Sequence, residues 1–484
     1  MEKRAILAAV LIAGLLIFYQ ALFPPSPPPP PQAEKPKEQE PTRAPEAPAL
    51  PPPIRAPSPP AQPARAVTVE TPLYRAQVAS EAGRLMEWAI HYRGEKPMIV
   101  TDLLGSKGVS IHRGTGGSQP LSFDVGPERL VVGPDRARGE LSLRGTDPYG
   151  LAVIQSLSFN PHDFRLEVQV KLENKHSVPQ AVEVWLPWFT HAKWPEGRAE
   201  QFQGQRPTRV VKLSANGVQR EELDKVGEAT ADGEWIGLES EWYIAALIPR
   251  TPGFKLVTKK GPDSQVEIAI KAVPPTLAPG QSWEGRALVY LGPKEYDRLR
   301  ALGVGLEEAI YWGGFPWSES WFPPPLPMAW IAVPILWLMN FVYRFVPNYG
   351  VAIIALTVVT KIIFYPLTLK SMASMKAMQA LQPQINALRG KYQKDPQRLQ
   401  RETMELYINH KVNPMCGCLP MVIQIPIFYS LYLVFSLSVE LQNAAFLCFG
   451  TVFGTALWIC DLAQQDPTYI LPILMGASMF VQQK

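Results

Sequence analysis

Residues 349–369 read YGVAIIALTVVTKIIFYPLTL, with Lys361 thirteenth in a run of 21 that is otherwise uncharged. At about 1.5 Å of rise per residue this run is long enough to cross a ~30 Å hydrocarbon core. It puts the Lys361 ammonium about 12 Å from the downstream end, a depth where a cation costs a few kcal/mol. Thr357, Lys361 and Tyr365 are four apart and so share one helix face. A second apolar run, residues 415–435 (MCGCLPMVIQIPIFYSLYLVF), repeats the spacing with Gln424, Phe428 and Tyr432. Snorkelling is the competing reading for Lys361, since its stem would reach about halfway to the interface. Two polar-aromatic stripes on neighbouring helices favour a wetted cavity in the inner half of the membrane. Pro366, Pro420 and Pro426 each remove a helix hydrogen bond, and in lipid the freed carbonyls need a partner or water.

The charge distribution around these runs is uneven. The 484 residues hold 47 basic and 43 acidic side chains, a net +4 that excludes a general nucleic-acid binder. Residues 413–483 contain no Lys or Arg, whereas 361–412 hold nine basic and three acidic side chains. Residues 65–327 are nearly balanced, with 30 basic and 32 acidic. A basic segment between two spans belongs in the cytoplasm. Residues 349–369 therefore run outside to inside, and 413–435 run back. This is a membrane protein with a large soluble insert.

Upstream, residues 5–23 (AILAAVLIAGLLIFYQALF) follow Lys3 and Arg4, and Pro24-Pro25-Ser26-Pro27 comes at once without a small-x-small cleavage site. Residues 1–23 thus read as an uncleaved transmembrane signal anchor with a cytoplasmic N-terminus. Residues 24–64 hold 18 of the 51 prolines and read as a semi-extended tether. Residues 65–327 read as a β domain outside the membrane. Leu166, Val168, Val170 and Leu172 alternate with charged or amide side chains, and the period recurs at Val266, Ile268, Ile270 and at Val182, Val184, Leu186. The expectation is an antiparallel β-sandwich with a short helical appendix over Lys294–Leu302.

Residues 328–348, with Asn340, Arg344 and Pro334 among Trp and Tyr, suit a helix lying in the membrane interface rather than a span. Residues 370–412 read as a cytoplasmic helical hairpin. Its first helix carries Met372, Met375, Met378, Leu381, Ile385 and Leu388, and Asp395-Pro396 starts the second. Residues 436–466 are an outside loop with Glu440, Asp461 and Asp466, and 467–484 are a final apolar run, short for a span. Cys448 and Cys460 share that loop, where a disulfide and two free thiols both remain open. Cys416 and Cys418 have no second ligand pair and read as small packing residues. No phosphate loop, nucleophile elbow or zinc signature appears, and nothing argues for a cofactor, a metal or catalysis.

Several motifs, in order, carry a resemblance. They are Tyr365-Pro366-Leu367-Thr368, Leu381-Gln382-Pro383, Lys411-Val412-Asn413-Pro414, Gly417-Cys418-Leu419-Pro420, Gln424-x-Pro426-Ile427-Phe428 and Asp466-Pro467-x-Tyr469-Ile470-Leu471-Pro472. On them the chain resembles the YidC/Oxa/Alb family of membrane protein insertases, in its Gram-negative branch. That implies an inner-membrane, multi-pass protein with a periplasmic β-supersandwich, an interfacial helix, a cytoplasmic helical hairpin and a helical transmembrane bundle. The bundle would enclose a hydrophilic groove, open to cytoplasm and lipid and closed to the outside. In it Lys361 stands at the single positive charge, usually Arg, Thr357 and Gln424 at lining positions, and Phe428 beside the substrate path. Lys keeps the charge but lacks the planar five-donor fork. The implied partners are nascent membrane proteins, the lipid bilayer, the Sec translocon, and the ribosome or targeting machinery through residues 370–412, with no direct contact to nucleic acid. The family's last two spans and basic tail are not in the sequence, and the loop at Phe446–Cys460 is longer than usual. This implies a truncated product with its groove open on one side. The alternative is a membrane-anchored carbohydrate-binding or sugar-processing β-sandwich protein, which needs a cleft pairing His with Glu.

Overall fold

The computed structural model describes residues 65–91, 100, 102–114, 116–119, 121–201, 204–314, 327–393, 395–410, 412, 415–452, 455–466 and 468–482. The anchor and tether expected over 1–64 lie outside the described residues. The alternating segments form strands. Leu151–Phe159, Arg165–Asn174 and Ser282–Pro293 are the centre of a nine-stranded antiparallel sheet, with Leu157 opposite Val168 and Val168 opposite Ala287. The chain crosses to a second, seven-stranded sheet built on Phe254–Lys260, Gln265–Ala272 and Glu183–His191. Leu166, Val168 and Val170 of the first sheet and Val266, Ile268 and Ile270 of the second are all buried in one core. That is the outcome of period 2: one face of each sheet is apolar and buries it against the other.

A third, four-stranded sheet lies beside them. Its strand Ala66–Glu70 pairs in parallel with Arg129–Val131, a departure from the all-antiparallel expectation. Register explains why the alternation could not show this, because a parallel partner 60 residues away leaves no local turn signal. Trp88 ties this sheet to the nine-stranded one. It is fully buried, stacks on Tyr74 at 4.0 Å, and its indole N–H donates to the Leu291 carbonyl at 3.0 Å. Two short helices decorate the domain, α1 (Glu196–Gln201) and α2 (Tyr296–Arg300). The second falls in the expected appendix, and the first had no apolar period to announce it.

The remaining chain is helical. α3 (Ala329–Phe345) buries Ala332, Leu336 and Met339 on one face. Its other side exposes a ladder of rings, Trp337 on Phe341 at 5.4 Å and Phe341 on Phe345 at 5.0 Å. α4 (Tyr349–Ala380) is one helix of 32 residues, so span and first hairpin segment are continuous through position 369. Lys370–Ala380 is rich in Ala, Met and Lys, strong helix formers, and holds no Gly or Pro to stop it. α5 (Gln382–Lys391) begins where Pro383 interrupts the ladder, and α6 (Pro396–Asn409) begins at Asp395, whose carboxylate accepts the Arg398 N–H at 3.1 Å. Lys391 and Arg398 both lie 5.3 Å from the Tyr392 ring at the turn between them. α7 (Met415–Leu437) and α8 (Ile470–Gln482) follow. Among the described residues, α4 is the one helix that meets both length and hydropathy requirements for crossing a membrane.

The segment 436–466 is structured rather than an open loop. Strands Leu447–Val452 and Thr455–Ile459 form a hairpin, and Cys448 and Cys460 are joined in a disulfide. Replacing Trp88 by Ala would leave a cavity and an unpaired buried carbonyl. The expected loss is about 3–5 kcal/mol, read as a lower denaturant midpoint by tryptophan fluorescence.

Candidate functional site

Among the described residues, the buried positions of α4 and α7 lie mostly towards one end of their seam with α3. On α4, Tyr349, Gly350, Ala352 and Leu356 are buried, and among the described residues no further position on this helix is buried until Ser371. On α7 the buried described residues are Ser430 and Val434, towards the same end. Beyond, α7 leads into Val439, Glu440, Leu441 and Gln442, all buried against the β domain, and the Tyr243 hydroxyl lies 3.3 Å from Gln442 Oε1.

That end is closed by short-range chemistry around Asn348. Its Oδ1 accepts the Val351 N–H at 3.2 Å, capping α4, while its Nδ2 donates to the Phe446 carbonyl at 2.9 Å. Tyr343 stacks on Tyr349 at 4.0 Å, and the Tyr349 hydroxyl reaches Asn340 Oδ1 at 3.3 Å. Gly350 lets the hairpin approach, because a Cβ there would stand 2.1 Å from the Phe446 ring. Asn348 before an apolar run is a helix-start signal readable in the sequence. The Phe446 contact, 96 positions away, had no such signal.

The six residues singled out from the sequence lie past this seal. Thr357, Lys361 and Tyr365 are exposed along one line of α4. On α7, Gln424 is half-buried, Phe428 is 55% exposed and Tyr432 64%. The helices themselves pack together, and these six side chains are at most half-buried by that packing. The Thr357 hydroxyl donates back to the Ile353 carbonyl at 2.9 Å, as Thr360 does to Leu356 at 2.8 Å and Thr368 to Phe364 at 2.9 Å. Lys361 has no such internal partner to hand, since neither α4 nor α7 contains an Asp or Glu. Pro366 and Pro426 lack an N–H, so the carbonyls of Ile362 and Val422 lose their helical donors in the same stretch. An ammonium and an underdonated carbonyl on α4, and an amide and an underdonated carbonyl on α7, thus lie on stretches where few described residues are buried.

The β domain has its own cleft, about 450 Å³, bordered by His112, Glu267, Lys107 and Phe189. Glu267 is ion-paired to Lys107, so the His–Glu couple a sugar-processing site requires does not stand free. His112 leans on Trp185 at 4.9 Å, and burial pushes its imidazole below the usual 6.5. Among the described residues no cluster of three metal-ligating side chains occurs.

Comparison with known proteins agrees over the whole chain. The family described as "60Kd inner membrane protein" matches residues 341–484, and "YidC periplasmic domain" matches residues 66–338. A membrane protein insertase YidC of Syntrophus aciditrophicus is 36% identical over 517 residues, covering 100% of this chain and 90% of that protein. Its counterpart in Geobacter sulfurreducens is 35% identical over 500 residues, covering 100% and 89%. Among solved structures, an active YidC insertase crystal structure aligns over 78% of this chain and 73% of its own, at 19% identity and a TM-score of 0.29. A galactose mutarotase-like protein from Lactobacillus casei aligns over 47% of this chain and 100% of its own, at 10% identity and a TM-score of 0.33. Neither superposition carries an argument about function.

Two outcomes follow from this geometry. Gly350→Ala forces Phe446 and its hairpin outward, at a cost of about 1–3 kcal/mol, seen as a lower melting temperature and faster proteolysis at 446–460. His112 is favoured neutral in the fold, so the unfolded chain takes up its proton first as pH falls. Stability from this residue is therefore present above pH 6.5 and lost on acidification. His112→Gln should flatten the melting temperature of the β domain between neutral pH and about pH 5.

Proposed function

The chain belongs to the YidC family of membrane protein insertases, and we propose that it works through a wet, positively charged groove around Lys361. One observation carries this reading. The polar stripes of α4 and α7 lie on stretches where few described residues are buried, while the other end of α4 is held by Asn348, Gly350 and Phe446. Water admitted from the inner side would hydrate the ammonium and the freed carbonyls, and would end at the seal. Such a cavity shortens the apolar path that a polar segment must cross.

In this mechanism no covalent step is needed. The polar extracellular tail of a nascent membrane protein enters beside Lys361, which attracts its carboxylates. Thr357 and Gln424 offer hydrogen bonds, and Tyr365, Phe428 and Tyr432 give the adjoining apolar segment a surface to slide on. That segment then leaves sideways into lipid, driven by ~25 cal/mol per Å² of apolar area removed from water. A compact ammonium suits transient attraction better than the bidentate grip of a guanidinium. The topology that goes with it has α3 in the outer interface on its ring ladder, α4 running inward, α7 outward, and residues 436–466 in the periplasm with the β domain. The basic α5–α6 hairpin lies in the cytoplasm, where it receives the nascent chain from the ribosome or targeting machinery, and the protein acts alone or beside the Sec translocon.

Lys361→Ala should slow insertion of substrates with acidic tails by roughly tenfold, about 1.4 kcal/mol of lost attraction, and leave neutral tails nearly unaffected. Lys361→Arg should retain insertion. Reconstituted vesicles with protease-protection readout measure both. Equal insertion of acidic tails by the Ala variant rejects the charge-based role.

A further inference from the structure

A second cleft, about 430 Å³, opens where the β domain meets the last residue of α7, Leu437. Its floor is an ion pair that is almost wholly buried: Lys294 Nζ lies 2.6 Å from Glu239 Oε1, and the two residues are 5% and 4% exposed. The second carboxylate oxygen, Glu239 Oε2, is buried without a hydrogen-bond partner among the described residues. A buried carboxylate oxygen left so costs more than an ordinary unmade bond, and Glu239 is one of the residues that line the cleft. Arg206 and Arg209 also line the space, with Glu241, Thr208 and Ser240. Burial pushes the Lys294 ammonium below its usual range, and Arg220 and Arg209 push the same way. Three cations and two carboxylates line the cleft, so it offers guanidinium groups to an anion and a carboxylate, Glu241, to a cation.

The mouth supplies a third element. Tyr311 is half exposed, with Arg220 4.8 Å from its ring, and it borders the cleft together with Ile310 and Leu437. We propose that this cleft holds the headgroup of a phospholipid bearing both a phosphate and a primary ammonium. The phosphate lies on Arg206 and Arg209, the ammonium donates to the Glu239–Glu241 side, and the first carbons of the chains run over Tyr311 and Leu437. Fork-shaped guanidinium groups suit phosphate oxygens, and a primary ammonium gives the carboxylate side a charged donor that a quaternary ammonium or a glycerol hydroxyl does not. The inference rests on the membrane placement proposed above, which sets the end of α7 at the level of the outer headgroups.

The test uses the full chain, purified in detergent and stripped of lipid, with bound lipid counted by native mass spectrometry. Short-chain phosphatidylethanolamine should bind at least about tenfold tighter than phosphatidylcholine or phosphatidylglycerol with the same chains. Arg206→Gln/Arg209→Gln should weaken it by a similar factor with the melting temperature unchanged. Glu241→Gln should erode the preference over phosphatidylcholine. Equal binding of the three lipids, or binding indifferent to the arginine changes, overturns the proposal. Inorganic phosphate or glycerophosphoethanolamine binding as tightly as the lipid would assign the site to a soluble anion and equally overturns it. Insertion measured on the same preparations separates the two readings. Lost lipid selectivity with intact insertion is expected if the cleft is separate from the groove, whereas a failed Lys361→Ala effect with lipid selectivity preserved rejects only the groove.

Discussion

An ammonium within a bilayer must have water, a counter-ion or a way out to the interface. α4 and α7 supply no carboxylate of their own, so in the placement proposed above Lys361 depends on water or on a group brought by another segment or by the substrate. This constraint organises the helical half of the molecule. The hydroxyls on α4 are already committed to their own helix, and prolines on both helices free carbonyls nearby. What these groups need is solvent or substrate, and sparse packing around them leaves room for either.

The outer end meets the opposite requirement. There the helices bury small and aromatic residues together, Ala332 and Ala352 beside Tyr349 and Leu356, and Gly350 lets the ring of Phe446 close in. A disulfide between Cys448 and Cys460 clips the hairpin that carries this ring. The β domain then settles on the same end through Tyr243 and Gln442. Seal, hairpin and soluble domain therefore form one stack on the helix ends, and the proposed groove lies beyond it.

Much of this was legible in the sequence because the relevant signals are local. Leu166 to Leu172 announce a strand by alternation, Asp395-Pro396 announces a helix start, and Thr357-Lys361-Tyr365 announces a polar line by spacing of four. What stayed hidden was non-local or unpunctuated. The parallel pairing of Ala66–Glu70 with Arg129–Val131, the fit of Phe446 over Gly350 and the pairing of Lys294 with Glu239 join residues 55 or more positions apart. The continuity of α4 across the boundary between apolar and basic sequence has a different reason. Composition changes from apolar to basic at Lys370, but helicity does not depend on that change, and no breaker occurs before Pro383. The motifs around Gln424 and Pro472 pointed to the family, which the relatives over the full chain show independently.

The uninterrupted length of α4 has a mechanical meaning. Thirty-two residues at 1.5 Å each make a rod of about 48 Å, well beyond the hydrocarbon thickness, so its far end stands clear of the lipid. Pro366 sits part-way along that rod, where the missing N–H loosens one turn. In the arrangement proposed above, a load on the arm beyond it would be taken up at that turn, leaving the contacts of Asn348 undisturbed.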